Sequence, residues 1–412
     1  MSSVVRFRPA RSTGPWLTAA GGEGPYLRTL EGRRLVDATA GADSVAGDRV
    51  LLGYDWQPQI SAGRSPLLPA LPPPWTRSQE HHLTANLSAL LGWDHVALAP
   101  SGETAAQALA SIGEAGWADL SWPPGAALAL NLTELADPAA SSHAVPVSEA
   151  RPRLAGAEHL SVLERVERAL RRARPDPVRA IIVHATTALP VPTAPLKQLR
   201  RLCQDHDVIL GWDETRLGLA RSGTPLLLST LTDPEDRPDI AAVGDSLTAG
   251  FGPLGALLVD TRLLERARFE AHDTGDIHPL AAAVAVEVLH AIADHELAPK
   301  AIADGAYLHR GLTQRLAPGA HVHSQGLDVS IHPPSPGESP SAGRRLASIA
   351  GNHGLRVRAT DDGTGLRLTP PLTCRRHHLD TIIDLVAATL THPTHAFQSS
   401  PGQEAEPPES AI

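Results

Sequence analysis

The sequence predicts an α/β protein, with a mostly parallel sheet between helices joined to a smaller α+β domain. Three observations predict it. From about residue 95 to residue 290, short apolar runs alternate with helical patterns, the rhythm of successive βαβ units. Several of those runs end in polar residues, and open α/β sheets bind ligands beyond the carboxyl ends of their strands. Past residue 291 the pattern changes to helices mixed with short strands, such as 355–358 and 365–368.

The elements follow in order. HVALAP at 95–100 reads as a strand, Ser101-Gly102 as a tight turn, and 104–112 as a helix. The 161–174 segment reads as a helix, with Val162, Val166 and Leu170 on one face and Ser161 with Glu164 forming a capping box. RAIIV at 179–183 is the next strand. Residues 194–206 form a helix that turns Leu196, Leu199, Leu202 and Cys203 inward. DVILGW at 207–212, DIAAV at 239–243 and GALLV at 255–259 are strands, and the Ala/Val-rich 279–290 segment is a buried helix. The expected division is a segment 1–65 that joins the small domain, a large domain 66–290, a small domain 291–390 and a disordered polar, Pro-rich tail 391–412. RSPLLPALPPP at 64–74 reads as a rigid surface connection.

Composition narrows the function. The chain has 412 residues, of which 42% are hydrophobic, enough for a large core, and a formal charge of −9 with no basic stripe, so nucleic acid is not an expected partner. No run reaches the roughly 18 apolar residues of a membrane span, and the start MSSVVRFRPARSTGPW lacks the apolar centre of a signal peptide. A cytoplasmic protein is therefore expected. The two cysteines, Cys203 and Cys374, suggest no disulfide framework. Of the 36 basic residues only Lys197 and Lys300 are lysines, which leaves 34 arginines.

Candidate site residues gather at the predicted strand ends. His184 follows IIV, Asp213 follows ILGW, and Asp245 follows AAVG, while Ser101-Gly102-Glu103 opens a helix at the end of a fourth strand. Helix N-termini receive anions, which makes an acid at Glu103 notable. Each residue has an ordinary alternative: Glu103 can complement the helix dipole, Asp245 can open a turn, and His184 can be a satisfied core histidine. Their shared location favours a pocket with three carboxylates and a histidine. No paired ligand spacing supports a metal centre.

At these residues the chain resembles class III, ornithine-aminotransferase-like enzymes of pyridoxal-phosphate fold type I. The similarity runs from about residue 24 to 390. GPYLRTLEGRRLVDATAG resembles the family's opening hairpin, LLGYDWQP its Gly-His-x-x-Pro turn, and SGETAAQ its Ser-Gly-Thr-Glu-Ala-Asn-Glu helix start. DETRLGLARSG, from Asp213 to Gly223, is similar to Asp-Glu-Val-Gln-x-Gly-x-Gly-Arg-x-Gly, and PDIAAVGDSLTAGFGPLGA to Pro-Asp-Ile-x-x-x-x-Lys-x-Leu-x-x-Gly. DTGDIHPLAAAVAVEVL and LRLTPPLT resemble the later Thr-Phe-x-Gly-Asn-Pro-Leu and Leu-Arg-x-x-Pro-Pro-Leu motifs. The resemblance implies a sheet of the seven-stranded type and a dimer. It implies that Asp213 pairs with the cofactor's pyridine nitrogen and that Thr274 reaches the phosphate, usually from the other subunit. By the same resemblance, Arg367 binds a substrate carboxylate.

The departures from the motifs lie at the chemistry. Asp245 stands where the resemblance places the Schiff-base lysine, and a carboxylate has no amine to offer. Glu103 stands where the family has a Ser or Thr on the phosphate, and two unit charges about 4 Å apart repel by roughly 4 kcal/mol at an effective dielectric near 20. His184 replaces the glutamate of a Glu-Pro strand end, and Arg216 the glutamine near the cofactor's phenolic oxygen, free to meet Asp213 or Glu103. Trp122 is a weak candidate for the stacking ring. The expectation is a site without cofactor in which Asp245, His184, Glu103 and Asp213 do acid–base work, such as dehydration, cyclisation or isomerisation, on a small acid-bearing metabolite of specialised metabolism. The alternatives are a non-catalytic partner that pairs with an active paralogue, and an aminotransferase-type enzyme that holds pyridoxal or pyridoxamine phosphate non-covalently.

Overall fold

In the computed structural model, residues 19–23, 25–29, 32–39, 78–112, 126–136, 161–171, 178–185, 191–231, 233–266, 277–334 and 342–391 are described. The expected tail at 391–412 begins one residue later, since Thr391 still belongs to a helix, and 392–412, the connection at 64–74, Trp122 and Thr274 lie outside the described residues.

The chain opens with strands β1 (Ala19–Glu23), β2 (Tyr26–Thr29) and β3 (Arg34–Asp37), antiparallel neighbours in that order. Gly32 makes the β2–β3 turn at φ +83°, a backbone region that glycine enters without strain. Helix α1 (Ser78–Leu91) buries Leu83, Leu87 and Leu91 at helical spacing. Strand β4 (His95–Ala99) then feeds helix α2 (Gly102–Ser111), whose N-cap Ser101 accepts the Thr104 amide on Oγ at 3.0 Å. Next come β5 (Ala126–Asn131), the short α3 (Leu132–Ala136) and α4 (Val162–Arg171). The expected capping box is present, with the Glu164 carboxylate accepting from both the Ser161 amide and its hydroxyl at 2.8 Å.

Strand β6 (Val178–His184), helix α5 (Thr193–Asp205) and strand β7 (Ile209–Glu214) make one βαβ unit. On α5, Leu196, Leu199 and Cys203 are fully buried, as their spacing predicts, and Leu202 is half-buried. Arg200 is buried with them because it reaches Asp239 at 2.8 Å. Strand β8 (Ile240–Val243), a 3-10 turn (Asp245–Thr248), strand β9 (Gly255–Val259) and helix α6 (Thr261–Arg266) follow. Helices α7 (Pro279–Asp294) and α8 (Leu297–Arg315) lead to the antiparallel pair β10 (His321–Gln325) and β11 (Asp328–His332). The chain continues through α9 (Ala342–Asn352), β12 (Leu355–Arg356), β13 (Arg358–Ala359), β14 (Leu366–Leu368) and α10 (Arg376–Thr391).

Three sheets result among the described residues. The central one has six strands in the order β4-β9-β8-β7-β6-β5. Strand β9 is antiparallel to both neighbours, and the other five share one direction, so their carboxyl ends form one edge. The second sheet, β1-β2-β3-β12, joins the N-terminal hairpin to a strand from beyond residue 350, and the third runs β10-β11-β14-β13. Helix α2 covers one face of the central sheet, where Ala105 and Leu109 meet Ala180, Ile182, Ile209, Ala242 and Leu257. On the other face Leu210, Trp212, Ala241 and Val243 pack with residues of α5 and α7. No described helix is long and apolar enough to cross a membrane.

Two close approaches set the edge where the strands end. A Cβ on Gly255 would lie 2.4 Å from the Ser101 carbonyl oxygen, so the turn into α2 rests on bare backbone. A Cβ on Gly244 would lie 2.4 Å from the Thr215 carbonyl oxygen. Replacing Gly244 with Ala is accordingly expected to cost about 1–3 kcal/mol, read by urea denaturation, because β8 must move off Thr215. A loss under about 0.5 kcal/mol would show that the approach is not tight.

Candidate functional site

Side chains alternate across a strand, so Ile209, Gly211 and Asp213 share the α2 face of β7, and Ala180, Ile182 and His184 share that face of β6. The apolar members of both sets are buried under α2, and the polar ones come last, at the carboxyl edge. The sequence reading placed His184 and Asp213 just beyond their strands. They are instead paired strand residues, His184 opposite Asp213 and Asn131 opposite His184, because β5, β6, β7 and β8 keep hydrogen bonding to that edge.

The two side chains meet. His184 Nδ1 lies 2.8 Å from Asp213 Oδ2. Asp213 Oδ1 accepts the Thr215 amide at 3.0 Å and the Thr215 hydroxyl at 2.7 Å. Burial alone would raise the Asp213 carboxyl, but the hydrogen bond and charge of His184 and the two Thr215 donors outweigh it and hold the group below the ordinary carboxylate value. An ionised carboxylate only accepts, so Nδ1 carries the proton toward Asp213. His184 is 8% exposed, and its Nε2 has no hydrogen-bond partner among the described residues. A buried polar atom without a partner calls for a ligand group or water.

The neighbouring acid serves the fold. Burial pushes Glu214 up to about 7, against the amides of Leu227 and Leu228 and the Trp212 indole N–H, all of which donate to it. Thr215, which anchors Asp213, was not singled out in the sequence. Its only signal there is its place two residues after the aspartate, the spacing at which an Asp side chain caps the backbone.

Three expectations about the other candidates need correction. Glu103 does not enter the turn at the start of α2. Its carboxylate is exposed and accepts from Gln107 Nε2 at 3.2 Å, one helical turn along the surface, so the repulsion argued against a phosphate there falls away. Gly102 is buried in that turn, directly after Ser101. Arg216 is exposed and does not close the site, since His184 and Thr215 engage Asp213 and Gln107 engages Glu103. Arg367 is committed elsewhere. Its Nε and Nη2 fork onto the Asp328 carboxylate at 2.9 and 2.6 Å, both residues being buried. The backbone of Asp245 opens the 3-10 turn directly after Gly244, and so stands next to the residue pressed on Thr215.

Comparison with known proteins agrees with this architecture. The profile of the family described as aminotransferase class-III matches residues 133–390. The ornithine aminotransferase of Bordetella pertussis is 30% identical over 220 residues, covering 52% of this chain and 50% of that protein. Ornithine aminotransferase 2 of Staphylococcus saprophyticus is 32% identical over 197 residues, 47% of each. The chain thus spans about half the length of the curated relatives it matches. Among solved structures, ornithine delta-aminotransferase of Plasmodium falciparum superposes with TM-score 0.71 at 21% identity, over 92% of this chain and 95% of that one. The omega transaminase of Pseudomonas jessenii, solved in complex with PMP, superposes with TM-score 0.75 at 18% identity, over 94% and 96%.

These findings overturn the expectation of a site without cofactor. The matched relatives are aminotransferases, which work with pyridoxal phosphate, and that group is expected here as well. The described residues fit it: an ionised Asp213, an unpartnered His184 Nε2, and an α2 N-terminus from which Glu103 is turned away. With the family profile matching more than half of its length, the chain belongs to the class III aminotransferases.

Proposed function

We propose that this chain is an aminotransferase-type enzyme that takes pyridoxal or pyridoxamine phosphate at the carboxyl edge of its central sheet and holds it without a covalent bond to lysine. The observation that carries the reading is the Asp213 carboxylate, which is half-buried, held by three donors and kept anionic at the end of β7. When bound, the cofactor supplies an electron sink for bond changes at a substrate's amino-bearing carbon. Asp213 would hold the proton on the ring nitrogen. Thr215 and His184 fix that carboxylate, and the phosphate is assigned to the turn at the start of α2, where a helix N-terminus favours an anion. Thr274 is assigned to the same phosphate from a second subunit on the strength of the resemblance, and a homodimer is part of the proposal. So is the division into a large domain 66–290 and a small domain 291–390.

The non-covalent mode rests on the lysines. The chain has two. Lys197, on α5, pairs with Asp236 at 2.9 Å, and Lys300, on α8, pairs with Asp304 and donates to the Cys374 carbonyl at 2.7 Å. Asp245 takes the lysine's place in the motif that follows β8. The names of the relatives point to small amine-bearing substrates of the ornithine kind.

Borohydride trapping tests the reading. Protein incubated with pyridoxal phosphate is reduced and its intact mass measured, beside equilibrium dialysis against pyridoxal and pyridoxamine phosphate. Retention of both cofactors, an unchanged mass for the wild type and one added phosphopyridoxyl group for Asp245→Lys is the expected result. A phosphopyridoxyl group on Lys197 or Lys300 overturns the non-covalent mode, and retention of neither cofactor overturns the cofactor reading.

A further inference from the structure

We infer that His184 is a positioning residue for Asp213, holding its carboxylate ionised and oriented for the ring nitrogen of the ligand. The inference rests on the cofactor reading above and adds a role that the family motif does not assign, since the motif has a glutamate at this place.

The geometry divides the Asp213 carboxylate into two halves. Oδ1 is taken by the amide and hydroxyl of Thr215, and Oδ2 by His184 Nδ1. A carboxylate oxygen has two lone-pair directions, so Oδ2 can hold the imidazole N–H and still accept one N–H from a ligand. Thr215 alone would leave Oδ2 free to rotate and buried without a donor, and burial favours the neutral acid. A neutral acid cannot stabilise a protonated ring nitrogen. The imidazole supplies the missing donor, from a position that the sheet fixes: His184 sits opposite Asp213 in register, and the Ala185 amide donates to the Asp213 carbonyl at 2.8 Å.

The other ring nitrogen argues against a packing role. A histidine that serves only the core ordinarily has both nitrogens satisfied. Among the described residues His184 Nε2 is buried and without a partner, and the side chain's hydrogen bond is the one to Asp213. The site thereby keeps an unfilled polar atom next to an anion, both on the α2 face of the sheet.

Binding of two ligands tests the role. One is pyridoxamine phosphate, and the other is its analogue with C–H in place of the ring nitrogen. Equilibrium dissociation constants are measured for wild type, His184→Leu, His184→Gln and His184→Asn. Asparagine places an amide nitrogen near the position of Nδ1, whereas glutamine places it near Nε2. The expected result is about a tenfold loss of pyridoxamine phosphate affinity in the Leu and Gln variants, most of it restored in Asn, with the carbon analogue's affinity unchanged within about twofold throughout. Equal weakening of both ligands reveals a packing role and overturns the inference, as does unchanged pyridoxamine phosphate affinity in His184→Leu. Should the Leu variant fail to fold, the contrast between Gln and Asn decides the same question. A wild type that binds neither ligand removes the cofactor reading and this inference with it. A wild type that binds both without preference removes the inference and leaves the cofactor reading standing.

Discussion

Asp213→Asn is expected to lower the affinity for pyridoxamine phosphate by roughly tenfold to a hundredfold, since a hydrogen bond to a charged group contributes about 1.5–3 kcal/mol. The substitution keeps the shape of the side chain and removes its charge. Its amide oxygen still accepts from Thr215, which donates twice to Oδ1 in the native site. Its NH2 faces His184 Nδ1, now 2.8 Å from Oδ2, and the imidazole adapts by moving its proton to Nε2, which has no hydrogen-bond partner among the described residues. The fold therefore has little reason to respond, and a melting temperature within a few degrees of wild type is expected. What disappears is the anion. Because its donors hold the native carboxyl below the ordinary value near 3.8, Asp213 is fully ionised at neutral pH. Any stability that arises from this depressed value is present above the unfolded-state value and is lost only as the pH falls through the folded-state one. Around neutrality the Asn variant thus reports charge removal alone. Fluorescence titration with the cofactor, paired with thermal melts, measures both effects. Native-like affinity in a folded Asp213→Asn protein would remove Asp213 from the binding role.

Much of the scaffold was legible in the sequence, because the signals that specify it are local. The 255–259 strand has the bounds its apolar run predicts, and the Ser161–Glu164 box forms as its spacing requires. The inward face of α5 follows from the positions of Leu196, Leu199 and Cys203. Strand ends were less legible. Polar residues look like strand exits, yet His184 and Asp213 continue their strands because neighbouring strands supply partners there. Side-chain direction was least legible. Glu103 in the first turn of α2 can point toward the turn or along the helix surface, and a bond to Gln107 four residues on decides for the surface. A carboxylate aimed into the turn would repel a phosphate, but the Glu103 carboxylate is aimed along the surface. Asp328, the partner that removes Arg367 from the site, lies 39 residues away on another strand. That pairing depends on the β11–β14 register, in which Ser330 meets Arg367, and nothing local to either segment states it.

Arg367→Met is expected to destabilise the protein by about 3–5 kcal/mol, the cost of breaking a buried ion pair by removing one partner. Asp328 is 2% exposed and Arg367 8%, and the guanidinium forks onto both carboxylate oxygens. Burial by itself would depress the Arg367 guanidinium, but the charge and hydrogen bonds of Asp328 more than offset it and raise the group above its ordinary value. Arg221 gives partial cover. It is buried nearby, burial bringing it down to about 10 against the opposing charge of Asp328, and its Nη1 donates to the carbonyls of Leu327 and Pro370. Arg367→Met removes the two donors that fork onto the Asp328 carboxylate. The double variant Arg367→Met with Asp328→Leu should recover most of the loss, because an apolar pair of similar volume replaces a buried ionic one at little net cost. Chemical denaturation of the two single variants and the double one gives the coupling directly. A substrate-anchoring arginine would give the opposite pattern: Arg367→Met would keep the stability of the wild type and raise KM for an acidic amine. The bidentate geometry at Asp328 excludes that pattern unless the pair opens, and opening it would expose the same buried carboxylate that makes the single variant unstable.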